Sequence, residues 1–322
     1  MLNIDDINLA AERLKGRIVE TPLLESLYLN EMLGGRILFK AECLQRTGSF
    51  KIRGATNKLL SLKEQERKNG VVAYSSGNHA QGVAAAARSL DIKATIVIPR
   101  DAPQLKIDNT RADGATIVLY DRENESRELI AKEIAEKQGS SIVAPYDDLT
   151  VIAGQGVVGL EVLHQLEALK LEPDIIFCPC GGGGLIAGLS TAIKSRFHDT
   201  EIFAVEPQDF DDTKRSLEAG ERVKNKLGAR SICDAILTPI PGEITFEINR
   251  RLLTGGISVS DEAVVNAIVV AYSRLKLAVE PGAAVGLAAL LSGEIKLNGK
   301  TAIVVLSGGN IDLKTMIELM PK

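Results

Sequence analysis

The chain reads as an α/β protein with two open parallel sheets, each a three-layer αβα sandwich. Three observations predict this. Short runs rich in Val, Ile and Ala are apolar along their whole length, as strands buried on both faces must be. Longer amphipathic stretches alternate with them, an order that lays helices over a parallel sheet. With 322 residues and 45 % apolar composition, the chain can also bury the large core such sheets need.

The strands follow in order: "RILFKAE" from Arg36, "GVVAYSS" from Gly70, "KATIVIP" from Lys93, "ATIVLYD" from Ala115, "SSIVAPY" from Ser140, "DIIFCPC" from Asp174, "EIFAVEP" from Glu201 and "TAIVVLSGG" from Thr301. Helical patterns stand between them, among them "HAQGVAAAARSL" from His79, "ENESRELIAKEIAEKQ" from Glu123, "GQGVVGLEVLHQLEAL" from Gly154 and "DEAVVNAIVVAYSRLKL" from Asp261. The block from Ser75 to Pro145 carries its own run of strands and helices. It predicts a small mobile domain, residues 75–145, inserted in a large one made of 1–74 and 146–322.

Composition narrows the function. A net charge of -4, with 38 basic and 42 acidic residues intermixed, offers no basic stripe for nucleic acid and no polybasic membrane anchor. The acidic start "MLNIDDINLAAERLKGRIVE" lacks the pattern of a signal peptide, and no apolar run approaches the ~20 residues that span a bilayer. Four scattered cysteines, Cys43, Cys178, Cys180 and Cys233, make no disulfide scaffold, and the C-P-C pair has no second pair at zinc spacing. A cytoplasmic protein acting on a small molecule is expected.

Ligands of open parallel sheets bind beyond the carboxyl ends of the strands, so the motifs there matter most. In "RTGSFKIRGA", Lys51 stands between Phe50 and Ile52 where a loop turns into a helix that Ser49 can cap. An ammonium partly desolvated there loses basicity, which frees its lone pair for attack on a carbonyl. Four consecutive glycines, Gly181, Gly182, Gly183 and Gly184, lead from a strand into a helix and predict a backbone cradle for a phosphate. No Gly-Lys-Ser/Thr ending follows, which argues against a nucleoside triphosphate.

"SSGNHAQG" gathers Ser75, Ser76, Gly77, Asn78 and His79 at a helix start suited to a carboxylate, with His79 read as support and not as a base. "LSGGN" places Ser307 at another carboxyl edge, and "EPGAA" from Glu280 opens a helix with Pro in its first turn. Glu206 and Asp212 flank backbone carbonyls in "EPQDFDD", a donor set suited to Mg²⁺ or Ca²⁺. "GQGVVG", Gly154 to Gly159, matches the dinucleotide fingerprint, yet "YDDLTVIA" before it is a poor strand; helix packing through small residues is the expected role.

These strings, with their order and spacing, resemble the threonine/serine dehydratase and serine racemase family of fold type II pyridoxal 5′-phosphate (PLP) enzymes, the tryptophan synthase β-subunit-like fold. The resemblance covers essentially the whole chain. It implies that Lys51 carries PLP as a Schiff base, that Phe50 lies against the pyridine ring, and that Gly181 to Gly184 hold the phosphate. It further implies that Asn78 contacts the 3′ oxygen and Ser307 faces the pyridine nitrogen, while Ser75, Ser76, Gly77, Asn78 and His79 serve the substrate. In the family's racemases the residue matching Ser76 reprotonates Cα from the face opposite the lysine. Glu206, Asp212 and the Phe210 carbonyl match the family's divalent-metal site, and a homodimer is the family expectation. Where many members have Asp-Gly, this chain has Ala235 after Asp234. The implied activity is dehydration of L-threonine or L-serine, with serine racemisation or 3-hydroxyaspartate dehydration as alternatives, and a nicotinamide-dependent oxidoreductase through "GQGVVG" as a remote one.

Overall fold

The computed structural model describes residues 2–320 apart from Ser76, Pro103 and Arg122, and the side chains of Leu105 and Lys106 also lie outside it. The expected role of Ser76 therefore falls outside the described residues.

Strands are β1 (Leu23–Glu25), β2 (Arg36–Ala41), β3 (Val71–Tyr74), β4 (Ala94–Pro99), β5 (Thr116–Tyr120), β6 (Ser141–Ile142), β7 (Ile175–Pro179), β8 (Glu201–Pro207), β9 (Gly255–Val259) and β10 (Thr301–Leu306). Up to the second sheet's last strand the helices are α1 (Ile4–Leu14), α2 (Leu27–Leu33), α3 (Lys51–Ser61), α4 (Glu64–Asn69), α5 (Asn78–Ser89), α6 (Gln104–Ala112) and α7 (Arg127–Gln138). After it come α8 (Leu149–Leu169), α9 (Gly184–Lys194), α10 (Asp212–Ala219), α11 (Glu243–Leu252), α12 (Asp261–Val270), α13 (Pro281–Ser292) and α14 (Leu313–Leu319).

The first sheet runs β1-β2-β10-β7-β8-β9 and the second β5-β4-β3-β6. All pairings are parallel except β1 on β2. The central strands are buried along nearly their full length, which explains why their apolar runs were legible in the sequence. Strands β1 and β9 were not legible. One is three residues long and the other opens on two glycines, and both lie at sheet edges where the neighbouring strand's hydrogen bonds, not local propensity, hold them extended. The second sheet starts at Val71 and not at 75, because "VVAY" pairs with β4 and β6.

Helix α8 packs against α1, α3 and α9. It is 21 residues long and apolar enough to cross a bilayer by length and composition, contrary to the sequence expectation, yet it is largely buried inside the fold. Its "GQGVVG" stretch is entirely helical, so no strand precedes it as a dinucleotide site requires. The glycines serve contact: a Cβ on Gly154 would stand 2.7 Å from Gly54 Cα of α3, and one on Gly159 2.8 Å from the Leu189 carbonyl of α9. The same helix contributes to a buried charge cluster. Arg53 pairs with Glu42 at 2.7 Å and Glu161 at 2.6 Å, and Lys40 pairs with Glu161 at 2.6 Å. Two positive and two negative groups compensate one another there, which keeps the cost of burial tolerable.

Candidate active site

Lys51 is the first residue of α3. Ser49 does not cap this helix: its backbone bridges Gly308 and its buried hydroxyl has no hydrogen-bond partner, so Phe50 becomes an N-cap without a capping side chain. The Lys51 Nζ donates to the Pro145 carbonyl at 2.7 Å and stands 5.2 Å from the centre of the Phe50 ring. Burial pushes its pKa down to about 8, since no carboxylate compensates the charge.

Lys51 and Phe50 line one cleft together with Ser75, Gly77, Asn78, His79, the four glycines and Ser307. The turn from β7 into α9 is built by those glycines. Gly183 adopts φ +90°, a conformation that favours glycine, and a Cβ on Gly182 would collide with the Tyr146 ring. Helix α9 has no capping side chain, and Gly183, Gly184 and Leu185 at its start line the cleft, where amides backed by the helix dipole can serve an anion.

The opposite wall comes from the start of α5, after β3 of the second sheet. Ser75 Oγ accepts from Gly77 N at 3.2 Å. Asn78 donates through Nδ2 to Glu280 Oε1 at 2.5 Å and accepts through Oδ1 from Asn310 Nδ2 at 2.8 Å. His79 is buried, and burial together with the nearby Lys51 charge pushes its pKa down to about 3. Its Nε2 must donate to the Val143 carbonyl at 2.8 Å, which leaves Nδ1 a bare acceptor without a partner. Ser307 is 5 % exposed, and its carbonyl accepts from Phe50 N at 3.2 Å.

Over residues 14–308 the chain matches the family described as pyridoxal-phosphate dependent enzyme. The chain belongs to that family. Relatives of this PLP enzyme include L-threonine ammonia-lyase from Thermotoga maritima, 41 % identical over 322 residues, all of this chain and 79 % of that protein. L-threo-3-hydroxyaspartate ammonia-lyase from Saccharomyces cerevisiae is 40 % identical over 315 residues, 98 % of this chain and 95 % of that one. The structure of maize serine racemase, at 38 % identity, aligns with a TM-score of 0.93 over 98 % of this chain and 96 % of that one. The fold is thus the αβα arrangement of fold type II, as expected. The cleft of this PLP enzyme fits the cofactor: an amine of lowered basicity stands in the same cleft as a turn of four glycines that leads into a helix start with no capping side chain.

Outside the cleft, Glu206 at the end of β8 is fully buried and accepts from Thr213 N at 2.9 Å and Lys214 N at 2.8 Å. Asp212 opens α10, its Oδ1 accepting from Asn225 at 2.6 Å and its buried Oδ2 having no partner. Burial pushes both carboxyls up, Asp212 to about 7 and Glu206 well above its ordinary range with Asp212's charge adding to the effect. Phe210 lies in the turn between them. Cys178 and Cys180 are buried thiols whose pKa values burial raises.

Sequence reasoning missed several cleft residues of this PLP enzyme. Arg127 at the start of α7, Tyr74 and Tyr146 line it, and so does Glu280, which had read as an ordinary helix start. Asp234 and Ala235 form part of another wall, where the departure from the family pattern stands. Nothing in the periodicity around Arg127 or Tyr146 marks them, because they reach the cleft only when the second sheet docks.

Proposed function

We propose that the chain is a PLP-dependent ammonia-lyase that converts L-threonine to 2-oxobutanoate, or L-serine to pyruvate, with release of ammonia. The observation that carries this is Lys51: an amine with depressed basicity at the mouth of a helix, in one cleft with an uncapped glycine turn. PLP, when bound, supplies a conjugated electron sink for charge developing at the substrate Cα. Gly181, Gly182, Gly183 and Gly184 would hold its phosphate, Phe50 would lie against its ring, and Asn78 would contact its 3′ oxygen. Ser307 offers the ring nitrogen a neutral hydroxyl, withholding the negative charge that would favour its protonation.

Ser75, Gly77 and the backbone N–H of His79 hold the substrate carboxylate, while the His79 ring stays on the Val143 carbonyl, and Lys51 Nζ takes the Cα proton as general base. The β-hydroxyl leaves as water, and uptake of one water then releases ammonia and the 2-oxo acid. Borohydride reduction of the holoenzyme attaches the cofactor to Lys51, and Lys51→Ala loses both that adduct and keto acid release. Normal turnover by Lys51→Ala would sink the reading. Ser76 supports racemisation as a side activity, which chiral analysis of residual serine measures in wild type against Ser76→Ala.

A second reading, dehydration of L-threo-3-hydroxyaspartate, is favoured by Arg127, which brings a guanidinium to the cleft 5.6 Å from the centre of the Tyr74 ring. A charge-assisted contact to a second carboxylate is what such a group provides. Under this reading Arg127→Met lowers kcat/KM for hydroxyaspartate at least tenfold more than for serine (about 1.4 kcal/mol). An equal loss on both removes it. Glu206, Asp212 and the Phe210 carbonyl would hold Mg²⁺ or Ca²⁺; the partnerless Asp212 Oδ2 supports this. The protein is proposed to work as a cytoplasmic homodimer, a state supported by exposed Leu27, Tyr28 and Met32 on α2 and checked by sedimentation.

A further inference from the structure

Helix α11 begins at Glu243, and its N-cap, Gly242, has no side chain with which to cap it. A carboxylate from far along the chain does so instead. Asp147 Oδ2 accepts from Glu243 N at 3.0 Å, and its Oδ1 accepts from Ile244 N at 2.9 Å and Thr245 N at 3.2 Å. Gly242 is complementary to this arrangement, since a Cβ there would stand 2.5 Å from Asp147 Oδ1. The helix so fixed grips the glycine turn. Thr245 Oγ1 donates to the Gly182 carbonyl at 2.6 Å, and Asn249 Nδ2 to the Gly183 carbonyl at 3.4 Å.

In a trans peptide the carbonyl and the following amide point in opposite directions. Holding the Gly182 and Gly183 carbonyls against α11 therefore turns the Gly183 and Gly184 amides away from that helix, and both residues line the cleft. Asp147 also follows Pro145, which receives the Lys51 amine, and Tyr146, whose ring covers Gly182. One stretch of backbone thus touches the amine, the turn and the clamp on the turn.

We propose that Asp147 is a positioning residue which, through α11, aims the glycine-turn amides at the cofactor's phosphate. The inference rests on the reading that this turn holds the phosphate. It differs from plain helix capping in what it predicts for ligands with and without that group.

The test uses the full chain reconstituted with PLP or with pyridoxal, which has the same ring and aldehyde but no phosphate. Asp147→Ala raises the Kd for PLP about tenfold, the scale of a lost charged cap, and leaves the Kd for pyridoxal within about twofold. The ³¹P resonance of bound PLP moves towards that of the free cofactor, and Asp147→Asn, which can still cap, restores most of both effects. Thr245→Val, which keeps the cap and removes only the bond to Gly182, reproduces the loss; it carries the test if Asp147→Ala fails to fold. Adding it to Asp147→Ala costs little more. Variants that keep the wild-type preference for PLP over pyridoxal would overturn the inference. A wild-type chain that binds both ligands equally would instead overturn the phosphate reading, and the inference with it.

Discussion

At the scale of single residues, the chemistry of the cleft is set by what surrounds Lys51 more than by the lysine. Burial lowers its pKa from 10.5 to about 8, so the folded chain disfavours the charged form. Below pH 8 both folded and unfolded chains bind the proton and the burial penalty is fully present. Between about 8 and 10.5 only the unfolded chain binds it, so stability rises with pH across that window. Lys51→Met removes the penalty. Without cofactor, the variant should be more stable than wild type at pH 7, with the difference closing by pH 10.5, as urea melts at the two pH values will measure. The apolar flanks Phe50 and Ile52 announced this environment in the sequence. Ser49 misled as a cap, because its backbone was claimed by a bridge to Gly308 from the far end of the chain.

Among elements, the α3–α8 contact decides where Lys51 stands. Gly54 and Gly154 let the two backbones approach until an added Cβ would meet Cα at 2.7 Å. Gly154→Val should therefore cost about 1–3 kcal/mol through overpacking. A lower urea midpoint with loss of cofactor absorbance is the expected result. The β8-to-α10 turn makes a second prediction. With two buried carboxyls pushed up by burial, a divalent cation should stabilise the ionised pair, so EDTA lowers Tm and Ca²⁺ or Mg²⁺ restores it. No change in Tm on either treatment would remove the metal from this turn. Central strands were legible because burial on both faces leaves an unbroken apolar run. Edge strands β1 and β9 were not, since their extended form is imposed by a neighbour.

Across the whole molecule, the Arg53 cluster ties together segments that are remote in sequence: β2 through Lys40, the turn after it through Glu42, α3, and α8 through Glu161. Removing one partner leaves uncompensated buried charge, so Arg53→Met should cost about 3–5 kcal/mol, read as a fall in denaturant midpoint. Little of this network could be seen beforehand, since each member resembles a surface charge until the chain folds. The sequence by itself determined the alternation of strands and helices, the lysine between apolar neighbours, the glycine turn and the family, because these depend on local composition, local backbone freedom and motif order. Tertiary structure alone decided that Glu280 meets Asn78, that Arg127 and Tyr146 enter the cleft, and that Asp147 caps a helix 96 residues further on. Those contacts join positions far apart in the chain, and no pattern within either partner's own segment specifies the other.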